Sequence, residues 1–263
     1  DDNLDGRDLV ITAFNPTGTI AYARFGGFPP SANQFADWGV VVLQRDLISG
    51  DLTELQRVAM PERSFVSAVP RVTSDGKHLY LSFSEVNSDF AGVPELRAYE
   101  LNTETGLLGD FTSVPQEPGT RLASLTLIDE DKRLLAVSES DVLEYERNAA
   151  SGELTLLRTT ELPLLPDDPD GDPRTAGPVA LVVGRDGRSV YTLRQTFIGF
   201  RGGFLNTFSR VPATGELSLE QQFTPDDFAD LGLFGGTQLL LNQAENVLLV
   251  TSRFGRYIAG SPS

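Results

Sequence analysis

The chain repeats one phrase four times. "RDLISGDLTELQ" from Arg45, "LNTETGLLGDFT" from Leu101, "RNAASGELTLLR" from Arg147 and "RVPATGELSLEQ" from Arg210 each run a polar segment into a glycine and then into an alternating segment. Upstream of each stands a tight turn between two apolar segments: "FNPTGTIAY" (14–22), "VTSDGKHLY" (72–80), "IDEDKRLLA" (128–136) and "VGRDGRSVY" (183–191). A fifth turn, "LNQAENVLL" (241–249), is followed by no matching phrase. With the last turn residue as a marker (Gly18, Gly76, Asp131, Gly187, Glu245), the spacings are 58, 55, 56 and 58 residues. A period that steady restricts the chain to folds assembled from one supersecondary unit.

Register inside the unit agrees with the spacing. Four residues past each marker stands a large apolar group: Tyr22, Tyr80, Leu135, Tyr191 and Leu249. A second column, Leu43, Tyr99, Tyr145 and Phe208, falls in the third segment of each complete unit. The segments are short, rich in Val, Leu, Tyr and Thr, and bounded by Asp-Gly, Ser-Gly or Thr-Gly, which is strand and hairpin chemistry. No stretch sustains an i, i+3, i+4, i+7 apolar pattern, so little helix is expected. One unit therefore reads as four antiparallel strands, a to d. The marker turn joins a to b, and the repeated phrase is the c–d hairpin, with its glycine supplying positive φ. Such units in series make the blades of an all-β propeller. Four blades are expected at about residues 9–61, 66–116, 122–160 and 178–224, and part of a fifth at 236–263.

"TSDGKHLYLS" and "GRDGRSVYTL", followed in their blades by "RAYELNTETGLL" and "FSRVPATGELSLEQ", resemble the blades of the lactonase-like, seven-bladed propellers and of the surface propellers with YVTN-type repeats. The resemblance implies sugar-lactone hydrolysis or a binding role at a surface. A Pro-Arg-His run is common in those relatives. This chain has Pro70-Arg71 and no histidine after it, so no catalytic residue is carried across.

Net charge is −16, which disfavours a nucleic-acid partner, because phosphate binding needs a basic footprint. No window approaches 18 consecutive apolar residues, so no membrane span is expected. The absence of cysteine removes disulfides, zinc–thiolate sites and thiol nucleophiles.

The a–b and c–d turns share one face and are short. The b–c and d–a loops share the other and are long and individual, which is where binding lives on a repeated scaffold. Residues 24–38 and 194–204 carry aromatic–glycine runs, making Arg24, Phe25, Phe28, Trp38, Phe197, Phe200, Arg201 and Phe204 candidates for a partner surface. The competing expectation is that these aromatics fold back over the blade, the commoner fate of large apolar groups. Asp168, Asp170 and Asp172 in one loop, and Asp1, Asn3 and Asp5 at the start of the chain, place hard oxygens at alternate positions and are candidates for calcium. The competing expectation for each is a solvated acidic turn, since such short patterns often occur by chance. Of the long-loop arginines, Arg24, Arg63, Arg121, Arg174, Arg194 and Arg201, a few could reach the channel and bind an anion. His78, the single histidine, stands just after the Asp75-Gly76 turn on the short-loop face, which argues against a Ser-His-Asp triad and a His-based metal site, and it is expected to be an exposed strand residue.

Without a nucleophile–base pair, the residues read as a non-catalytic binding or structural module, secreted, periplasmic or on a cell surface. The alternative is a lactonase-like hydrolase working through carboxylates and arginines at the channel. Two or three channel carboxylates with an asparagine and a bound ion would favour the hydrolase, and walls of Val, Leu and Phe with exposed aromatic loops the binder. The fifth unit lacks its c and d strands, so an open ring is expected, closed by another chain or by the remainder of the propeller.

Overall fold

The computed structural model describes residues 9–26, 38–61, 64–85, 94–116, 120–163, 176–196, 203–224, 227, 236–242, 244 and 248–252. These hold nineteen strands and no α-helix. Blade 1 comprises β1 (Leu9–Phe14), β2 (Ile20–Phe25), β3 (Gly39–Arg45) and β4 (Leu52–Ala59). Blade 2 has a divided first strand, β5 (Ser64–Val66) and β6 (Arg71–Val72), then β7 (His78–Glu85), β8 (Pro94–Leu101) and β9 (Leu108–Pro115). Blade 3 comprises β10 (Ser124–Ile128), β11 (Arg133–Val137), β12 (Asp141–Arg147) and β13 (Leu154–Glu161). Blade 4 comprises β14 (Ala176–Val183), β15 (Ser189–Thr196), β16 (Gly203–Arg210) and β17 (Leu217–Phe223). A two-stranded sheet, β18 (Gly236–Leu241) and β19 (Leu248–Ser252), follows. Every sheet is an antiparallel meander in chain order, and the first strands touch one another in sequence, from β1 through β6, β10 and β14 to β18. The fold is a β-propeller with those first strands around its axis.

The apolar core lies in the seams between blades. In β7, Leu79, Leu81 and Phe83 face blade 1, where they meet Ile20, Tyr22, Val40 and Val42. Tyr80, between them in sequence, faces blade 3 and packs with Leu125, Leu134 and Tyr145. Successive strand residues point to opposite faces and both faces are covered, which explains why the inner segments read as nearly continuous apolar runs. The seam between blades 3 and 4 joins Leu135, Val137 and Val142 to Leu181, Val190 and Phe208. The next joins Leu193 and Leu205 to Leu239. The second sequence column marks a bulge: register shifts against the fourth strand at Val42/Leu43, Tyr99/Leu101, Glu144/Tyr145 and Thr207/Phe208. A bulge there bends and twists each outer hairpin away from a flat edge.

The repeated glycines do more than turn the chain. Gly106, Gly152 and Gly215 all have φ between 73° and 75°. Each also lies against the preceding blade. A Cβ on Gly106 would sit 2.8 Å from Cγ1 of Ile20, one on Gly152 would strike the His78 ring, and one on Gly215 would sit 2.7 Å from Cδ of Glu144. The Tyr22 hydroxyl donates to Gly106 O at 2.9 Å, and that of Tyr80 to Gly152 O at 2.8 Å. Burial pushes both phenols up to about 12, so they remain donors. In blades 2, 3 and 4 the phrase seats the outer hairpin on the preceding blade.

Blade 3 departs from the pattern. Its marker turn carries three successive non-glycine residues at positive φ: Asp129 (52°), Glu130 (56°) and Asp131 (61°). The carboxylates of Asp129 and Asp131 engage both neighbouring blades. Asp131 accepts from the Ser74 N–H of blade 2, and Asp129 accepts from Arg210 of blade 4 at 3.0 Å.

Candidate functional site

A cavity of about 520 Å³ opens along the axis. Its walls come from four consecutive first strands and the turns that end them. Val72, Leu127, Leu181–Val183 and Leu239–Leu241 make the apolar wall, and Arg71, Ser74, Thr126, Asp131, Arg185 and Asn242 supply the polar groups. Ser74, Asp131, Arg185 and Asn242 sit on or beside a–b turns, so the cavity reaches the short-turn end of the channel. The sequence reading placed function on the opposite face. It ranked loops by length, whereas the short turns converge because the first strands converge.

Arg71 follows the interrupted part of blade 2's first strand and donates through Nε to Leu125 O at 2.6 Å. That bond fixes the side chain across the seam, and burial lowers its pKa from the usual guanidinium value. It remains cationic at neutral pH, as arginine does in proteins. Arg185 leads the turn of blade 4. Two guanidiniums and one carboxylate, Asp131, therefore border an apolar cavity. Such a site can hold an anionic or carbonyl-bearing ligand through fork-shaped donors. Pro70-Arg71 stands out in the sequence. Arg185 could have been found only by asking which turns meet at the axis.

At the long-loop end, Arg194 is 4% exposed and donates to Pro163 O at 2.9 Å and Glu139 O at 3.1 Å. It ties two loops of blade 3 to blade 4 and does not reach the channel cavity. Burial pushes the Glu139 carboxyl above the usual carboxylate range, against the pull of Arg121 and Arg194.

The remaining sequence candidates divide into three groups. Phe25 and Phe204 are 2% and 3% exposed, so they belong to the blade interior and not to a displayed surface. Each closes or opens a strand beside a covered seam, and Arg57 lies 4.7 Å over the Phe25 ring. Arg24 and Trp38 are half-buried, and Trp38 packs on Gly26, where no Cβ would fit. Phe28, Phe197, Phe200, Arg201, Asp168, Asp170, Asp172, Asp1, Asn3 and Asp5 lie outside the described residues, as do Arg63 and Arg174. Among the described residues, no group of three or more His, Cys, Asp and Glu is arranged to hold a metal ion.

His78 corrects an expectation. It is 2% exposed, with Nδ1 2.8 Å from an Nη of Arg147 and the ring against Gly152. Its place just after the Asp75-Gly76 turn suggested a solvent-facing side chain, but the outer hairpin of blade 3 covers it. Arg147 also donates to the Tyr80 hydroxyl at 3.1 Å and pairs with Asp75 at 3.2 Å. In the next seam Glu144 accepts from Arg210 at 2.6 Å and Arg133 at 2.5 Å. Burial alone would raise its pKa, but the two arginines more than offset that and hold it below the usual carboxylate range.

An all-β ring of blades with a polar-rimmed axial cavity defines a β-propeller. Solved structures share that fold. A candidate 6-phosphogluconolactonase from Bacteroides fragilis NCTC 9343 matches at TM-score 0.60 and 13% identity, over 96% of this chain and 76% of that one. The Pseudomonas aeruginosa periplasmic gluconolactonase matches at TM-score 0.54 and 16% identity, over 95% and 79%. The β-propeller domain of a Myceliophteria thermophila protein matches at TM-score 0.54 and 14% identity, over 96% and 64%. No protein-family model matches the sequence, and no curated protein matches it. The chain thus has the fold of the lactonase-like propellers. No helix among the described residues is long and apolar enough to cross a membrane.

Proposed function

We propose that this propeller hydrolyses a small sugar lactone, or a similar cyclic ester, in the axial cavity. The observation that carries the reading is the pair Arg71 and Arg185 beside Asp131 in a cavity of about 520 Å³, large enough for one sugar ring. The fold shared with lactonase-type structures supports it. Asp131 takes a proton from water as the water attacks the lactone carbonyl. Arg71 or Arg185 stabilises the oxyanion. The ring C–O bond then breaks, and the leaving alkoxide takes the proton back from Asp131, leaving the open hydroxy acid. The cavity holds Asn242 but one carboxylate, Asp131, where two or three were expected to favour a hydrolase. The apolar wall supports a second reading, in which the cavity binds such a ligand without turnover.

The periplasm or another extracytoplasmic compartment is proposed for it, on the strength of the periplasmic neighbour alone.

The test is hydrolysis of glucono-1,5-lactone and its 6-phosphate, followed with a pH indicator. Turnover above the spontaneous rate is expected, with kcat reduced at least ~100-fold in Asp131→Asn. Turnover that Asp131→Asn leaves intact, or none with either lactone, sinks the reading. Saturable binding without turnover selects the second reading.

A further inference from the structure

The marker turn of blade 3 is built differently from those beside it, and the difference falls at the axial cavity. Blades 1, 2 and 4 place Gly18, Gly76 and Gly187 at the marker, with φ between 69° and 72°. Blade 3 places Asp131 there at φ 61°, after Asp129 and Glu130 at 52° and 56°. Positive φ is strained for a residue with a side chain, and such strain gathers at functional sites. What Asp131 adds over a marker glycine is a carboxylate on the wall of the cavity.

A closed ring of bonds holds that carboxylate. The Ser74 N–H of blade 2 donates to Asp131 Oδ2. The next residue, Asp75, accepts from Nη2 of Arg147 at 3.2 Å. Arg147, at the end of β12, donates through Nη1 to the carbonyl of Asp131 at 3.3 Å. One side chain therefore ties the backbone of Asp131 to the turn whose N–H fixes its carboxylate. Arg147 is itself held. Its side chain is 3% exposed, the Tyr80 hydroxyl accepts from Nε at 3.1 Å, and His78 Nδ1 lies 2.8 Å from Nη2. Arg210 makes the corresponding contact in blade 4, to the carbonyl of Gly187 at 3.1 Å. There the marker has no side chain to aim. In blade 3 the same scaffold contact bears on a carboxylate.

We propose that Arg147 is a positioning residue for Asp131. It does not line the cavity, and it acts by clamping the turns of blades 2 and 3 so that the Asp131 carboxylate is set toward the attacking water. This rests on the reading of Asp131 as the base. A base displaced by a fraction of an ångström loses rate more than substrate affinity, so the effect belongs in kcat and not in KM.

The test is a double-mutant cycle on lactone hydrolysis, with the Ser74 amide followed by NMR in the same variants. Arg147→Lys keeps the cation and loses the fork. It is expected to lower kcat at least ~10-fold with KM little changed. With Asp131→Asn already present it should lower kcat no further, because both changes then act on one group. The hydrogen bond to a carboxylate holds the Ser74 amide proton downfield, and that proton should move upfield in Arg147→Lys as it does in Asp131→Asn. A kcat untouched by Arg147→Lys, an equal loss in both backgrounds, or a Ser74 amide that keeps its wild-type shift overturns the proposal. Absence of turnover in the wild-type chain sinks the catalytic reading alone, and the amide shift then decides whether Arg147 positions Asp131. Tyr80→Phe removes one acceptor from Arg147 and little packing, and it serves if Arg147→Lys does not fold. The same directions are expected of it, and their absence overturns the proposal.

Discussion

His78 Nδ1 lies 2.8 Å from an Nη of Arg147, across the seam between blades 2 and 3. A guanidinium only donates, so Nδ1 accepts, the ring proton sits on Nε2 and the imidazole is neutral. Burial, and then the charge of Arg147, lower the His78 pKa, while Asp75 and Glu100 pull weakly the other way and Lys77 adds to the lowering.

Acid should therefore open this seam. Unfolded histidine binds a proton near pH 6.5, and folded His78 resists it, so the contribution is complete above that pH and is lost as pH falls below it. The melting temperature is expected to drop between pH 7.5 and 5.5. His78→Asn, which keeps an acceptor near the Nδ1 position, should flatten the slope. An unchanged slope in that variant would refute the assignment. His78 is the single histidine, so no other imidazole confuses the measurement.

The hairpin glycines should differ in cost. Gly50 has φ 80° and nothing within 4 Å of a built Cβ, so Gly50→Ala meets only the left-handed backbone penalty of about 1 kcal/mol. Gly152→Ala meets that penalty and the His78 ring, and overpacking adds about 1–3 kcal/mol. Urea midpoints of the two variants check this. Equal losses would mean that turn geometry alone explains the phrase.

Removing the Glu144 carboxylate should be costly. Its side chain is 4% exposed and accepts from Arg133 and Arg210. Glu144→Ala leaves Asp129 to serve both Arg133 and Arg210 in the seam, a loss on the order of 3 kcal/mol, whereas exposed strand-d changes should move stability little. A Glu144→Ala melt within 2 °C of wild type would contradict this.

Glu130 offers a gain. It is a non-glycine residue at φ 56° with a side chain 85% exposed, so Glu130→Gly removes steric strain and little packing. Denaturant unfolding should show a stability increase of about 1 kcal/mol. A loss would show that the turn is held by more than Asp129 and Asp131.

The strands and their blade order were legible in the sequence because period and turn chemistry are local: Gly18, Gly76 and Gly187 announce their turns, and the Tyr22 column announces its strands. The seams were less legible. Nothing near His78 in sequence says that Gly152, 74 residues later, will cover it, or that Glu144 will meet Arg210. Asp131 could be aligned with the glycines of the other markers, but the reach of Asp131 to Ser74 of blade 2 and of Asp129 to Arg210 of blade 4 could not be read from the turn. The axial cavity was hidden for the same reason. Arg71, Asp131 and Arg185 belong to three repeats, and only ring geometry puts them together. Arg194 is the converse: a long-loop position suggested a ligand, while its two Nη groups donate to Pro163 and Glu139.

The hairpin glycine is constant, but what it touches is not: Ile20 in one seam, His78 in the next, Glu144 in the third. Each blade is therefore fitted to one particular predecessor, despite the common phrase. Reordering the blades by gene shuffling would preserve every turn and strand signal and still set an imidazole or a carboxylate against the wrong hairpin. The interchangeable module of this protein is the joint, formed by the second half of one blade's inner pair and the outer hairpin of the next, and a recombination point that respects it falls inside blades, not between them.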